Sequence, residues 1–556
     1  MPRMTGGRFL AETLKGYGVT HAFFVPAIVR KAVVEMEQVG IHRIVTHGEK
    51  AAAYMADGYA RAANRPGVCM AQSVGAANLA AGLQDAYLAL SSVIAITGHR
   101  NLSHQYRNSY QEIEHVLPFN AVTKYNVVVD NVAQLPHLLR QAFREATSGA
   151  PGPVHLDLQG IQGEVVVEAE ADLEVIVEEP FTHRPPFRPE PEPERVREAA
   201  RVLSQARRPV IVAGGGVTTS QAQREVVQLA ELLSIPVATS LNAKGAIPDD
   251  HPLSVGVVGS YSRWCANRVV AEADLVVFVG SHTGSQVTLD WKIPPAGTPV
   301  IQIDIDPSEL GRNYPTKVAL LGDARATLRR LIEALEPLGP RTEWVHRAQH
   351  LVREWRAEVA PLANSDAAPI RPERLCKEIT DFLPSDAVLV ADTGHAGIWT
   401  GTMVDLKHPS QSYLRCAGTL GWGFPAALGA KCAVPERPVL CFTGDGGFWY
   451  HIGELETALR YGINTVTVVN NNRSLNQEKR GTERAYAGYS GNSDEVWHFL
   501  DVDLAKVAQA IGCFGIRVER PGQLQSALEQ AFAAGKPAVV DVVADIEGIA
   551  PPAWGG

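Results

Sequence analysis

Residues 437–474 read RPVLCFTGDGGFWYHIGELETALRYGINTVTVVNNNRS, and their pattern decides the fold. Val439–Phe442 is a short apolar run that enters a glycine-rich turn, Gly444-Asp445-Gly446-Gly447, and predicts a strand closed by a tight turn. A helix-like stretch follows over His451–Tyr461. A second apolar run, Thr465–Val469, ends in Asn470-Asn471-Asn472. Strand, helix and strand make a compact βαβ unit. Both turns then fall at strand C-terminal ends, where doubly wound sheets bind ligands. Asp445 and Asn472 therefore converge on one place although 27 residues separate them. A carboxylate, an amide oxygen and a backbone carbonyl form a hard oxygen site that suits magnesium bridging to phosphate oxygens. Glycines in such a turn let the backbone approach the phosphates. A lone Gly-Asp-Gly is an ordinary turn, since Asp and Gly favour turns for local reasons. The order and spacing of the two turns carry the specificity.

The same rhythm runs outward along the chain. Pro209–Ala213, Leu275–Val279, Val300–Ile305 and Ala387–Ala391 are strand-like runs, several ending in Gly or Asp before a helix-like segment. A Pro- and charge-rich stretch, Glu178–Glu194, predicts an extended linker. Softer breaks fall at 336–341 and 360–372, on either side of a helix-like segment, Trp344–Ala360. The cuts leave three α/β blocks, taken as 1–180, 190–340 and 365–556.

Composition limits the function classes. The 556 residues are 46% apolar and 20% charged, which supports a large core and excludes global disorder. A formal charge of −9 argues against a dedicated nucleic-acid binder. The seven cysteines are scattered with no CxxC pair, so neither a disulfide framework nor a zinc site is expected. The N-terminal segment lacks a signal-like apolar region, and no apolar run is long enough for a membrane span. A cytoplasmic protein is the expectation.

The pattern GDG, 27 residues, then NN resembles the thiamine diphosphate motif of the acetolactate synthase and pyruvate decarboxylase superfamily. The resemblance covers almost the whole chain. It implies three doubly wound parallel-sheet domains: pyrimidine-binding, middle Rossmann-like and diphosphate-binding. It also implies that Asp445, the Asn472 side chain and the Ser474 carbonyl hold Mg2+, with Gly444, Gly446 and Gly447 beside the cofactor. Glu454 matches the family's helical glutamate-leucine pair and has a structural reading.

Residues 47–61, HGEKAAAYMADGYAR, are Ala-rich and predict a helix with Glu49 in its first turn. Alone, such a glutamate is a solvated residue favoured by the helix dipole. By the resemblance, Glu49 matches the glutamate that hydrogen-bonds the cofactor's aminopyrimidine ring and promotes its activation. In the family this glutamate reaches a cofactor held by a partner subunit, which implies a homodimer at least, with a homotetramer open. Many relatives place His directly before the glutamate; here Gly48 stands there and His47 is one place earlier. In CAGTLGWGFPAALGA (416–430), Leu420 matches the bulky residue under the bent cofactor and Gly418 the carbonyl that accepts from its ring. Gly394, His395 and Ala396 resemble the diphosphate-contacting turn.

On the substrate side, QSVGAAN (72–78) and the Tyr110-Gln111 pair resemble pocket-lining segments, so Gln72, Tyr110 and Gln111 are candidate contacts. Acetolactate synthases usually carry Gly-Gly where this chain has Ala27 and Ile28. Ile28 is closer to acyl-CoA lyases and oxalyl-CoA decarboxylases, and is expected to reshape the space above the cofactor ring. The middle block has AGGGV (213–217), GSHTGSQVTLDW (280–291) and IDIDPSELGRN (303–313). FAD or ADP binds there in some relatives; the Arg-containing FAD segment is replaced by GSHTGSQ, so neither nucleotide is favoured. The reading is a thiamine diphosphate- and Mg2+-dependent enzyme that decarboxylates or ligates a 2-oxo acid or related small carbonyl substrate. A 2-hydroxyacyl-CoA lyase or oxalyl-CoA decarboxylase type is the first alternative. A non-catalytic homologue is the second, and the presence of Asp445 and Glu49 counts against it.

Overall fold

A computed structural model describes residues 2–336, 339–550 and 553. Part of the break at 336–341, at residues 337–338, lies outside the described residues, as do residues 1, 551–552 and 554–556 of the outer blocks.

Three six-stranded parallel sheets form the chain. The first runs, in spatial order, His42–Val45, His21–Phe24, Gly67–Ala71, Val93–His99, Val154–Gln159 and Tyr125–Val129. The last runs Ser412–Arg415, Val388–Ala391, Val439–Gly444, Val466–Asn471, Ala538–Val543 and Phe514–Val518. Numbered along the chain within each domain, both have the order 2-1-3-4-6-5. The central sheet, Ser254–Val257, Val237–Thr239, Pro209–Ala213, Leu275–Val279, Val300–Asp304 and Val318–Leu321, has the order 3-2-1-4-5-6 of dinucleotide-binding folds. Its strands are rich in β-branched residues and, apart from the edge strand Val318–Leu321, buried on both faces, as parallel strands covered by helices must be. The stretch Glu178–Glu194 carries a short 3-10 turn at Glu179–Thr182 and is not extended throughout.

The core shows how the outer domains meet. The N-terminal domain has its own apolar layer, the layer of the C-terminal domain also takes in Leu241 and Val257 of the central domain, and a third cluster joins the two outer domains. That shared layer is built by the Ala-rich helices Glu49–Ala63 and Gly423–Ala433. Their backbones approach so closely that a Cβ at Gly58 would lie 2.0 Å from the Ala426 carbonyl oxygen, and one at Gly429 would lie 1.9 Å from that of Met55. Small residues make this approach possible.

Candidate active site

The turn after Val439–Gly444 differs in detail from the sequence expectation. The strand extends through Gly444, and Asp445 opens a short helix, Asp445–Trp449, separate from Glu454–Tyr461. The neighbouring parallel strand, Val466–Asn471, delivers Asn472 and Ser474 to the same end of the sheet. Asp445, Asn472 and Ser474 are all buried. Burial pushes the Asp445 carboxyl up to about 7, against the pull of the backbone N–H groups of Asp445, Asn472 and Ser474. Its Oδ1 is buried without a hydrogen-bond partner, as is Oδ1 of Asn470. Ser474 Oγ donates to Asn472 Oδ1 at 2.8 Å. A buried carboxylate with a bare oxygen beside an amide oxygen is an incomplete arrangement that a hard divalent cation would complete.

The glycines divide into two kinds. A Cβ at Gly444 or Gly418 would meet nothing within 4 Å, so both border open space. A Cβ at Gly446 would lie 2.6 Å from Leu475 Cδ2, and one at Gly447 would lie 3.0 Å from Thr443 Oγ1. Those two glycines therefore also allow close packing within their own domain.

Gly394 adopts φ 65° and ψ −142° and caps the helix His395–Met403. Only glycine accepts that backbone. His395 Nδ1 is buried without a partner, and burial pushes its imidazole down to about 4. Ala396 is buried behind it. Asp392, just upstream, is buried and accepts from the N–H groups of Thr393 (2.7 Å), Gly421 (3.1 Å) and Gly423 (3.0 Å), yet burial still pushes its carboxyl up to about 6.

The loop 416–420 is held by the N-terminal domain. Asp85 accepts from Ala417 N (2.9 Å), Gly418 N (3.1 Å), Thr419 N (3.2 Å) and Thr419 Oγ1 (2.7 Å). Arg61 ties Asp85 to Asp57, with Nη2 at 2.9 Å and 2.6 Å from their carboxylates, and stacks on Trp422. Burial opposes ionisation of Asp85, but Arg61 and the loop donors outweigh it and hold the carboxyl below its ordinary value. The result fixes the Gly418 N–H and leaves Leu420 half-buried, outside the packed core. Asp57, Arg61, Asp85 and Asp392 escape the sequence reading; charges inside Ala-rich helices mark Asp57, Arg61 and Asp85, and Asp392 follows a strand end.

Glu49 starts its helix, half-buried, and accepts from Asn78 Nδ2 at 3.1 Å. A Cβ at Gly75 would lie 2.4 Å from Glu49 Oε1, so a side chain there would displace the Glu49 carboxylate. His47 N donates to Glu454 Oε1 at 3.0 Å, which fits the structural reading of Glu454. Ser73 Oγ donates to the Gln111 carbonyl at 2.6 Å and joins the two candidate substrate segments. Gln72 is half-buried, Gln111 has φ +58° with Oε1 buried and unpartnered, and Tyr110 is 77% exposed. The Ala27-Ile28 turn needs a correction. Ile28 is 1% exposed and packs in the N-terminal core, so its side chain does not line the expected space. Ala27 is half-buried and carries φ +79°.

The central domain has a cleft of about 470 Å³ where its strand order reverses. Gly214–Gly216 and Gly280–Gln286 form its walls, with Asp304 at its rim.

Family profiles match all three domains. Residues 4–117 match the thiamine pyrophosphate enzyme N-terminal TPP binding domain, 196–331 the central domain, and 392–542 the C-terminal TPP binding domain. A probable acetolactate synthase large subunit of Methanocaldococcus jannaschii is 34% identical over 98% of this chain and 92% of its own length. The chain belongs to the acetolactate synthase-like thiamine diphosphate enzymes. An acetolactate synthase of Mycobacterium bovis is 31% identical over 98% of this chain and 88% of its own. A Bacillus subtilis relative, the putative thiamine pyrophosphate-containing protein YdaP, is 29% identical over 98% and 92%. This family member is thus a thiamine diphosphate-dependent enzyme built from three parallel-sheet domains. Among the described residues no helix is long and apolar enough to cross a membrane.

Proposed function

We propose that the chain catalyses Mg2+-dependent cleavage or formation of a carbon–carbon bond at a 2-oxo acid or related carbonyl substrate, by decarboxylation, carboligation or both. The observation that carries this reading is Asp445, buried at a strand end beside Asn472 with one oxygen unpartnered. Asp445, Asn472 and the Ser474 carbonyl hold the metal, and Gly444, Gly394, His395 and Ala396 line the diphosphate. When bound, thiamine diphosphate supplies a carbanionic ring carbon and an electron sink, which is what decarboxylation and carboligation need. Glu49 would hold its carboxyl, steadied by Asn78 Nδ2, where it could share a proton with the cofactor's aminopyrimidine ring. Asp85 holds the 417–419 loop, so that the Gly418 carbonyl and Leu420 would be available to the cofactor's ring. Gln72, Tyr110, Gln111 and Ala27 border the carbonyl substrate.

Two copies complete the site in this reading. Tyr106 is 90% exposed, Tyr110 77% and Leu117 73%, all within the segment that carries the candidate substrate residues. A second copy of the chain covers such an apolar group. Glu49→Gln is the direct test. Cofactor binding measured by calorimetry should be retained while turnover of a 2-oxo acid panel falls by about two to four orders of magnitude, the usual worth of a general acid–base group. Undiminished turnover would remove Glu49 from this role.

The central cleft favours a second reading, in which that domain holds FAD or ADP, as acyl-CoA lyase-type relatives hold ADP. Its place at the strand-order reversal is where dinucleotides bind. Titration of the purified chain with FAD, ADP and coenzyme A decides between them, and binding of none would reject it.

A further inference from the structure

The N-terminal sheet buries a second set of titratable side chains that the proposed reaction does not use. Thr97 and His99 stand two residues apart on one strand, His155 and Asp157 two apart on its neighbour, and the register pairs Thr97 with Asp157. A period of two puts all four on one face. His115 precedes the helix Val116–Asn120 and closes over them, while Phe119 stacks on the His155 ring at 3.5 Å. All five polar side chains are buried. Among the described residues no group of His, Cys, Asp and Glu is arranged to hold a metal ion.

The hydrogen bonds leave a proton to be accounted for. Asn126 Nδ2 donates to the Val116 carbonyl (2.8 Å) and to Asn120 Oδ1 (2.9 Å), which turns its Oδ1 toward His155 Nδ1 at 2.8 Å. An amide oxygen only accepts, so His155 Nδ1 carries a proton. Thr97 Oγ1 lies 2.6 Å from His155 Nε2 and 2.6 Å from Asp157 Oδ1, and it has one proton to give. If Thr97 donates to Asp157, then His155 Nε2 donates to Thr97 and the ring is a cation. If Thr97 donates to His155, then the Asp157 carboxyl is protonated and donates to Thr97. Either way the cluster holds one proton more than a neutral imidazole and a carboxylate. Burial pushes His155 down to about 3 and lowers His99, so the cationic form is disfavoured. Burial opposes charge on the Asp157 carboxyl, while the hydrogen bond from His115 and the surrounding imidazoles pull the carboxyl below its ordinary value, so burial and these neighbours act in opposite directions on Asp157.

We propose that His155, Thr97 and Asp157 share one buried proton, and that this proton seats His115 and thereby the base of the loop 100–114. His115 Nδ1 reaches Asp157 Oδ1 at 3.1 Å, and His99 Nδ1 lies 3.7 Å from Oδ2. His115 Nε2 and both His99 nitrogens have no partner, and Arg100 and Asp130 are the remaining charges that act on His99. Transfer within the cluster is balanced: as the His155 Nε2 proton passes to Thr97, the Thr97 proton passes to Asp157. Loss of the proton leaves two lone pairs facing each other across one 2.6 Å contact, and the contact opens.

The linkage has a definite sign. Above about pH 6.5 an unfolded chain binds no proton at either residue, whereas the folded cluster binds one. Stability is then lost as pH rises, with the folding constant falling tenfold per pH unit. Asp157→Asn supplies a permanent amide donor to Thr97 and needs no extra proton. Between pH 6.5 and 8.5 the N-terminal unfolding transition of the full chain should therefore weaken about a hundredfold more in the wild type than in Asp157→Asn. Parallel pH profiles would overturn the proposal. Nitrogen-15 spectra of the histidine-labelled wild type at pH 8 give an independent answer. A proton on His155 Nδ1 with a hydrogen-bonded Nε2 supports the shared proton, and a neutral ring protonated only at Nε2 overturns it. Thr97→Val, which removes the bridge, should quicken amide exchange over 100–114; unchanged exchange would detach the loop from the cluster.

Discussion

The first and last sheets share one strand order, and their turns fall at matching places. The residue three past the second spatial strand is Ala27 in one and Gly394 in the other, and both have positive φ, 79° and 65°. Asp157 and Asp541 stand at equivalent positions, each four residues into its strand (Val154–Gln159 and Ala538–Val543) and each buried. Their surroundings differ. Asp541 accepts from Asn471, Leu504 N and Arg517, a permanent cation at 3.0 Å. Asp157 faces a hydroxyl and three imidazoles. The same scaffold thus carries a fixed charge in one sheet and titratable groups in the other. The C-terminal sheet gathers Asp445, Asn472 and Ser474 at its strand ends, and the N-terminal domain carries Glu49 at the start of the helix Glu49–Ala63.

The largest expected effect lies at the turn that the N-terminal sheet lacks. Asp445→Ala should weaken Mg2+-dependent binding of thiamine diphosphate by at least about a hundredfold, since even outer-shell changes at metal sites cost 10–100-fold. Calorimetry with and without a chelator measures it. Burial raises this carboxyl, so the cofactor-free chain should unfold no more easily than the wild type. Intact metal-dependent binding would mean that the two sheets do not differ in the way described.

The next effect tests the layer that joins the sheets. Gly58→Ala places a methyl 2.0 Å from a backbone oxygen that cannot move freely. Overpacking costs about 1–3 kcal/mol, and the gain in helix propensity returns at most about 1. A net loss of about 1 kcal/mol is expected, seen in scanning calorimetry as a joint downward shift of both outer domains. A shift confined to the N-terminal transition would show that the sheets are stabilised separately.

These contrasts also show what the sequence could disclose. The βαβ unit was legible because strand, turn and helix signals are local, and Gly444-Asp445 and Asn472 are fixed by neighbours within one unit. The paired helices were legible only as helices. Asp57, Arg61 and Asp85 resemble solvated helix charges until a second domain covers them, and no local period reports that. His99, His115 and His155 share this fate, since their meeting depends on strand register and on a helix that returns after a loop. Ile28 misled for a backbone reason. It follows a left-handed residue, and its side chain lies in the core.

The smallest effect is the sharpest test of the matching turns. Left-handed backbone costs an L-residue roughly 1–2 kcal/mol, and glycine escapes that cost while losing about 0.4–1 kcal/mol more chain entropy on folding. Ala27→Gly should therefore stabilise the N-terminal domain by about 0.5–1 kcal/mol, a rise in Tm on the order of 2 °C. The converse change, Gly394→Ala, should destabilise the C-terminal domain, because it loses the glycine-only backbone and sets a methyl 2.6 Å from Gln477 Oε1. Opposite signs at the two positions are what one turn geometry with two different residues requires. Were Ala27→Gly to lower stability instead, the alanine methyl would be making contacts worth more than its strain. The turn after the N-terminal strand would then be a site shaped by that methyl, and no longer the counterpart of Gly394.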